Sequence, residues 1–176
     1  MHIKYVKSEK IAKFIIKWKL LVSKYDLYFL YPPLTIVYTS PPMSEKMLKF
    51  VEIGQQNPPK RDKNSRKEDF NEIYSEFIKG KANEQSSRCS QCGVPFCQVH
   101  CPLSNNIPDW LKLTAEGRHE EAYQLSQSTN NMPEVCGRIC PQDRLCEGNC
   151  VIEQSGHGTV TIGSIEKYIT ETAWEN

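Results

Sequence analysis

The sequence lacks any uninterrupted apolar run of about 20 residues, the length that a membrane-spanning helix needs. Its most apolar stretch, residues 10–31, is broken by Lys13, Lys17, Lys19 and Lys24. It also lacks an apolar segment followed by a small-residue cleavage site, which a secretory signal peptide would show. We therefore expect no membrane span and no secretion, and a cytoplasmic chain whose thiols stay reduced.

An excess of charge of either sign is also lacking, since the formal net charge of the 176 residues is +1. Such a balance gives no electrostatic reason to expect nucleic acid or an anionic membrane as a partner. The motif GxGxxG is absent as well, so no Rossmann nucleotide site is expected in these residues. The length suits about one domain.

The first segment, residues 1–42, differs in composition from the rest. It holds seven lysines against only two acids, Glu9 and Asp26, and it ends in proline-rich turns. We expect a basic leader that is non-native or disordered, with Met43 or Met47 as a plausible start. The alternative is a basic amphipathic helix that lies on a membrane surface.

Residues 43–88 are predicted to form a polar N-terminal arm with one short helix. A proline pair at 58–59 and the basic run KRDKNSRK indicate an extended, solvated stretch. The helix is expected over residues 68–80, ending at Gly80. Its apolar residues at helical spacing are Phe70, Ile73 and Phe77.

Residues 89–176 are predicted to be mainly helical. Asn106 can cap a helix that has Pro108 in its first turn and ends at Gly117, and a second helix covers about 118–128. A closing helix is expected to begin near Thr161. Strand signals are weak throughout, so the fold class predicted is mainly α.

The feature that the sequence has in excess is cysteine. All eight cysteines lie between positions 89 and 150. They form two runs: Cys89, Cys92, Cys97 and Cys101, then Cys136, Cys140, Cys146 and Cys150. Cysteines at this density indicate disulfides, zinc or iron–sulfur clusters.

The spacing favours iron–sulfur clusters over the alternatives. Short gaps let one loop present several thiolates, and in two-cluster ferredoxins the last cysteine of a run, followed by proline, binds the other cluster. Pro102 follows Cys101 in this way, although the gap of four before Cys97 is not that of a simple ferredoxin. Two four-cysteine zinc sites stay open as an alternative, but a zinc ribbon would show two close CxxC pairs. His100, between two cysteines, is expected to be a surface side chain.

Three runs give the sequence a family resemblance: CSQCGVPFCQVHCPLSNNIPDWLKLTAEG, PEVCGRICPQDRLCEGNC and GTVTIGSIEKYIT. Together they resemble the N-terminal cluster domain of the glutamate synthase small subunit, which dihydropyrimidine dehydrogenase and related flavoproteins share. The resemblance covers about residues 43–176. It implies an α-helical ferredoxin-like fold that holds two [4Fe–4S] clusters.

The resemblance also implies which side chains bind the clusters. The first cluster takes Cys89, Cys92, Cys97 and Cys150. The second takes Cys101, Cys140, Cys146 and a ligand from the closing helix, at the position of Glu166. Cys136 is then a spare thiol, and it is the alternative to Glu166 as the eighth ligand. A carboxylate ligand would lower the reduction potential of its cluster, because it adds negative charge beside it.

The function implied is electron transfer within glutamate synthase, an NADPH-dependent oxidoreductase of glutamate biosynthesis. In the family, NADPH reduces FAD on the small subunit, and electrons then reach FMN on the large subunit. The sequence stops near where the FAD- and NADPH-binding region would begin, so we expect a truncated chain without catalytic residues of its own. Its expected partners are the large subunit and that missing flavin-binding region. The alternatives are the same domain in another flavoprotein complex, such as one like dihydropyrimidine dehydrogenase, or a zinc-binding interaction module.

Overall fold

The structure is a computed structural model, and it describes residues 47–175. The predicted basic leader, residues 1–42, with its possible amphipathic helix, lies outside the described residues. A short 3-10 turn, Lys49–Val51, opens the described chain. The helices that follow are α1 (Ser65–Glu68), α2 (Lys79–Ser86), α3 (Phe96–Val99), α4 (Ile107–Ala115), α5 (His119–Gln127), α6 (Pro133–Ile139), α7 (Val151–Gln154) and α8 (Ile162–Glu175).

The prediction of a mainly α-helical fold is confirmed. Across residues 47–175, the structure contains no β-sheet and has one isolated antiparallel bridge, between Lys60 and Tyr74. The same part of the chain contains no helix with the length and apolarity that crossing a bilayer requires.

Helices α4 and α5 form a helical hairpin joined by a tight turn. Helix α4 has Pro108 in its first turn, as predicted, and its chain reverses at Gly117, which has a φ of 77°. The N–H of Gly117 donates to Thr114 O, and the N–H of Arg118 donates to Leu113 O. These two bonds make a Schellman motif, which needs the left-handed conformation that glycine adopts without steric cost.

Helix α8 is the centre of the core. Ile162, Ile165 and Ile169 follow each other at helical spacing and are all buried, as the sequence predicted. The helix contacts α2, α4, α5 and α6. Trp110 of α4 is fully buried in the same core, and its indole N–H donates to Asn105 Oδ1 at 3.0 Å. Burial of large apolar side chains from α4 and α8, with packing against α2, α5 and α6, therefore fixes the position of α8.

The predicted helix over residues 68–80 is wrong. Residues 69–78 are not helical, and α2 begins at Lys79, where the predicted helix was to end. Backbone bonds hold this segment against residues 59–61, because Arg61 N–H donates to Ile73 O and Ser75 N–H donates to Pro59 O. The Arg61 guanidinium also binds the Asp69 carboxylate and holds its pKa well below the usual range. These pairings replace the helical bonds that the apolar spacing suggested.

Helices α6 and α8 pack at very short distance, and Gly137 permits this. A Cβ atom at position 137 would lie 2.8 Å from the backbone nitrogen of Lys167 and 2.9 Å from the carbonyl oxygen of Gly163. These are backbone atoms, so they cannot move aside as a flexible side chain would. The close approach matters for the site, because α6 and α8 carry several of the predicted ligands.

Replacing Gly137 with alanine should lower the free energy of unfolding by about 1–3 kcal/mol, the usual cost of overpacking. Gly80→Ala is the matched control, because Gly80 also lies in a helix and its added Cβ would meet nothing within 4 Å. That control should be neutral or stabilising by about 0.5–1 kcal/mol, since alanine favours the helix. Chemical denaturation of both variants measures the difference. Equal unfolding free energies would show that α6 and α8 are less tightly packed.

Candidate metal centre

Most of the eight cysteines lie at helix ends or in the turns between helices, and all eight are free thiols. The disulfide alternative is therefore absent from the structure. The cysteines are placed as follows: Cys89 three residues after α2, Cys92 in the next loop, Cys97 within α3, Cys101 just after it, Cys136 within α6, Cys140 at its C-terminal cap, Cys146 in the following turn and Cys150 at the N-terminal cap of α7. His100 is exposed, as expected, and its Nδ1 lies 2.9 Å from Phe96 O.

One set of neighbouring thiols consists of Cys89, Cys92, Cys97 and Cys150, and we name it the first thiol group. Burial raises the pKa of Cys89 to about 11, and the charges of Cys150 and Cys92 add to the rise. Burial also raises the pKa of Cys97 to about 12, with contributions from the other three thiols. These mutual effects place the four side chains near one another. They are the four that the resemblance assigns to the first cluster.

Hydrogen-bond donors surround the sulfurs of this group. The backbone N–H and the side-chain amide of Gln91 donate to Cys89 Sγ at 3.5 and 3.4 Å, and the amide also donates to Pro108 O at 2.7 Å. Gln91 has a φ of 52°, which turns the chain sharply between the two cysteines. Ser90 Oγ lies 3.0 Å from Cys92 Sγ. Sequence reasoning missed these two residues, although polar side chains inside a CxxC loop are a usable signal.

The second set consists of Cys101, Cys140 and Cys146 with Glu166, and we name it the second group. Burial first, then a hydrogen bond with Cys136, raises the pKa of Cys140 to about 11. The charges of Glu166 and Cys101 add to that rise. Burial raises the pKa of Cys146 above its ordinary range, and Glu166 and Cys101 again contribute.

Each run of cysteines gives its last member to the other group. Cys101 closes the first run in the sequence, yet its neighbours are Cys140 and Cys146. Cys150 closes the second run, yet it lies beside Cys89 and Cys97. This exchange is the arrangement by which two-cluster ferredoxins hold their clusters.

Glu166 is a buried carboxylate on α8, with 7% of its surface exposed. Asn130 Nδ2 donates to its Oε1 at 3.1 Å, and the fully buried Ser126 lies nearby. Burial raises the pKa of Glu166 to about 7, against the opposing effects of Asn130 and Ser126. Among residues 47–175, no basic side chain forms an ion pair with Glu166. A positive iron atom would supply the missing counter-charge, so this carboxylate fits a cluster ligand.

Cys136 is also adjacent to the second group. It is partly buried on α6, and its thiol hydrogen bonds with that of Cys140. Both candidates for the eighth ligand, Glu166 and Cys136, therefore lie beside Cys140. Glu166 is the one whose charge also acts on Cys146.

Glu147 connects the second group to α8, and sequence reasoning did not identify it. Its carboxylate accepts a hydrogen bond from Gly163 N–H at 3.0 Å, at the first turn of the 14-residue helix. Burial raises the pKa of Glu147, while backbone N–H groups of Gly163 and Ile162 oppose the rise. A carboxylate at a helix N-terminus is stabilising. Glu147 thereby holds the turn that carries Cys146 against the helix that carries Glu166.

The described side chains do not form a site for a single metal ion. Within residues 47–175, no three or more His, Cys, Asp or Glu side chains converge on one point where an ion would bind. A tetrahedral zinc site with bonds of about 2.3 Å would hold its sulfurs about 3.8 Å apart. A [4Fe–4S] cluster separates its thiolates more widely, because iron and sulfide atoms lie between them. Each of the two groups supplies four side chains, which is the number of ligands that one such cluster requires.

Comparison with known proteins agrees with this geometry. Residues 66–176 match the protein family described as dihydropyrimidine dehydrogenase domain II, 4Fe-4S cluster. The chain is 70% identical over 132 residues to the glutamate synthase [NADPH] small chain of Azospirillum brasilense, covering 75% of this chain and 27% of that protein. It is 50% identical over 133 residues to the small chain of Escherichia coli K12, covering 76% and 28%. The small chain of Bacillus subtilis is 38% identical over 136 residues, covering 72% and 27%.

The matched region contains every candidate ligand, from Cys89 to Glu166. The chain spans about a quarter of the length of the curated relatives it matches. The family match covers most of the chain and is sufficient to assign the family without those longer relatives. The chain therefore belongs to the family of dihydropyrimidine dehydrogenase domain II, the 4Fe-4S cluster domain.

Proposed function

We propose that this chain is the electron-transferring iron–sulfur part of a glutamate synthase small chain, with two [4Fe–4S] clusters. The first thiol group would hold one cluster, and Cys101, Cys140, Cys146 and Glu166 would hold the other. The observation that carries the proposal is the exchange of Cys101 and Cys150 between the two runs. When bound, such clusters accept and release one electron at a time.

The chain's own residues favour this role in three ways. Burial keeps the thiols protonated until a cation replaces the proton, because the pKa values of Cys89 and Cys140 are both about 11. Gln91 and Ser90 provide hydrogen bonds to sulfur, which is one of the means by which proteins set cluster potentials. Close packing of α6 against α8 fixes the second group, because Gly137 leaves no space between them.

We infer the reaction of the whole protein from the names of its relatives. Electrons would come from NADPH through FAD in a region beyond this chain, and would pass to the large subunit for glutamate synthesis. The partners are therefore a flavin-binding region and a glutamate synthase large chain, in the cytoplasm. Two relatives, from Azospirillum brasilense and Escherichia coli, are named glutamate synthase [NADPH] small chain, which supports this assignment.

The electron-transfer role can be tested by reductive titration of the full chain. The protein is purified without oxygen, poised at successive potentials and frozen for electron paramagnetic resonance. We expect two one-electron steps and about one spin per cluster on full reduction. Loss of both signals after removal of iron with a chelator is the control. A chain that contains iron but accepts no electrons would contradict the role.

The identity of the partner needs a separate experiment. The reduced chain is mixed with a glutamate synthase large chain, and the visible spectrum reports oxidation of the clusters. Oxidation should be fast once the large chain is added, and continued oxidation under repeated reduction should require both glutamine and 2-oxoglutarate. Slow oxidation with and without these substrates would instead favour another flavoprotein complex as the natural partner.

A further inference from the structure

Arg88 is a charged side chain with 0% of its surface exposed. Its guanidinium donates hydrogen bonds to four backbone carbonyls. Nε donates to Ile53 O at 2.9 Å, Nη2 donates to His157 O at 2.8 Å and Gly158 O at 2.9 Å, and Nη1 donates to Thr159 O. A buried arginine whose guanidinium donates hydrogen bonds to several backbone carbonyls is held firmly in one orientation.

These acceptors are neutral, so they do not balance the charge of Arg88. In the chain from residue 47 to 175, no carboxylate lies within ion-pair distance of Arg88. Leaving a buried charge without a counter-charge is expensive. Burial lowers the pKa of Arg88 despite the nearby carboxylate of Glu153, which is itself exposed.

The position of Arg88 relates it to one of the two groups only. It directly precedes Cys89 in the chain, and the carbonyls of His157 and Gly158 that it binds follow α7, the helix that begins at Cys150. Both cysteines belong to the first thiol group. The second group has a carboxylate, Glu166, where the first has this buried cation nearby.

We propose that Arg88 is the buried counter-cation of the first thiol group and raises the reduction potential of the cluster held there above that of the second. The inference rests on the proposed function. Reduction adds one negative charge to a cluster, and a fixed positive charge in a low-dielectric interior stabilises the reduced state. Arg88 is a positioning and tuning residue, since it acts through the ligands that it neighbours and through the loop 157–159 that it holds.

The test compares Arg88→Gln and Arg88→Lys in the full chain by potential-controlled paramagnetic resonance. The step that disappears in Cys97→Ala identifies the first cluster. In R88Q this step should move to lower potential, with at least a tenfold change in the ratio of reduced to oxidised cluster at a fixed potential. That change corresponds to about 59 mV for one electron. R88K keeps the charge and should move the same step by less than half as much.

Two further variants make the outcome decisive. Arg118→Gln removes the same charge from an exposed cluster of ion pairs with Glu116 and Glu121, and should move neither step. Glu153→Gln removes a surface carboxylate that faces Arg88, and should move the first-cluster step to higher potential. If R88Q does not load iron, R88K decides. At a pH high enough to neutralise its lysine, the first-cluster step of R88K should fall, whereas the wild-type step, beside an arginine that stays charged, should not.

Failure of this inference can be told apart from failure of the proposed function. A wild-type chain without iron and sulfide would overturn the proposed function itself. A wild-type chain with two clusters, in which R88Q or E153Q leaves the first-cluster step unmoved, would overturn only the role of Arg88. Equal shifts of both steps in R88Q would also overturn it, because a counter-cation of the first thiol group must act on one cluster preferentially.

Discussion

Replacing Cys97 with alanine should leave the chain with about half of its iron and sulfide, because one of two [4Fe–4S] clusters loses a ligand. The expected effect is large and selective. Cys97 lies among Cys89, Cys92 and Cys150, whose charges all act on it, while the thiols of the second group do not contribute to its pKa. The second cluster should therefore load normally.

Iron and sulfide analysis of the anaerobically purified variant measures this effect, and paramagnetic resonance shows which reduction step remains. Cys146→Ala gives the complementary result, because Cys146 belongs to the second group. The matched control is Cys136→Ala, which removes a cysteine of similar environment that the proposed ligand set does not use. Retention of all iron in Cys97→Ala, or equal losses in all three variants, would refute the division into two groups.

Replacing Glu166 with alanine should also remove about half of the iron, this time from the second group. The carboxylate is buried between Cys140, Cys146 and Asn130, and no thiol other than Cys136 is available to take its place. Glu166→Gln keeps the shape of the side chain without its charge. We expect this variant to retain the second cluster at a higher reduction potential, because a negative charge beside it has gone.

The same measurement decides between the two candidates for the eighth ligand. Cys136→Ser should retain both clusters, with about eight iron atoms per chain. If Cys136→Ser loses half of the iron and Glu166→Ala loses none, Cys136 is the ligand instead. In each variant the reduction step of the first cluster should remain, because the first thiol group is intact. Loss of that step as well would reveal a general folding defect.

Much of the site was predictable because the ligands of a cluster leave a local signature in the sequence. Cys89, Cys92 and Cys97 are close along the chain, so their spacing alone indicates a shared metal centre. The helices around them were also predictable where spacing and glycine signals agreed, as in α4 with its stop at Gly117 and in α8. The ligand set itself came from the family resemblance, and the variants above are its test.

The parts that could not be predicted depend on contacts between distant residues. Arg88 donates hydrogen bonds to carbonyls 69 to 71 residues further along the chain, and no local sequence pattern predicts such a pairing. Glu147 likewise contacts Gly163 across 16 residues. The helix predicted over residues 68–80 failed for the same reason, because its backbone pairs with residues 59–61 instead. Tertiary contacts override local propensity in such segments.

The central claim is that this chain holds two [4Fe–4S] clusters, and metal analysis tests it most directly. The full chain is purified without oxygen, and iron, acid-labile sulfide and zinc are measured per chain together with the visible spectrum. The account predicts about eight iron and about eight sulfide, a broad brown absorption and no stoichiometric zinc. About two zinc ions, no sulfide and a colourless protein would contradict it.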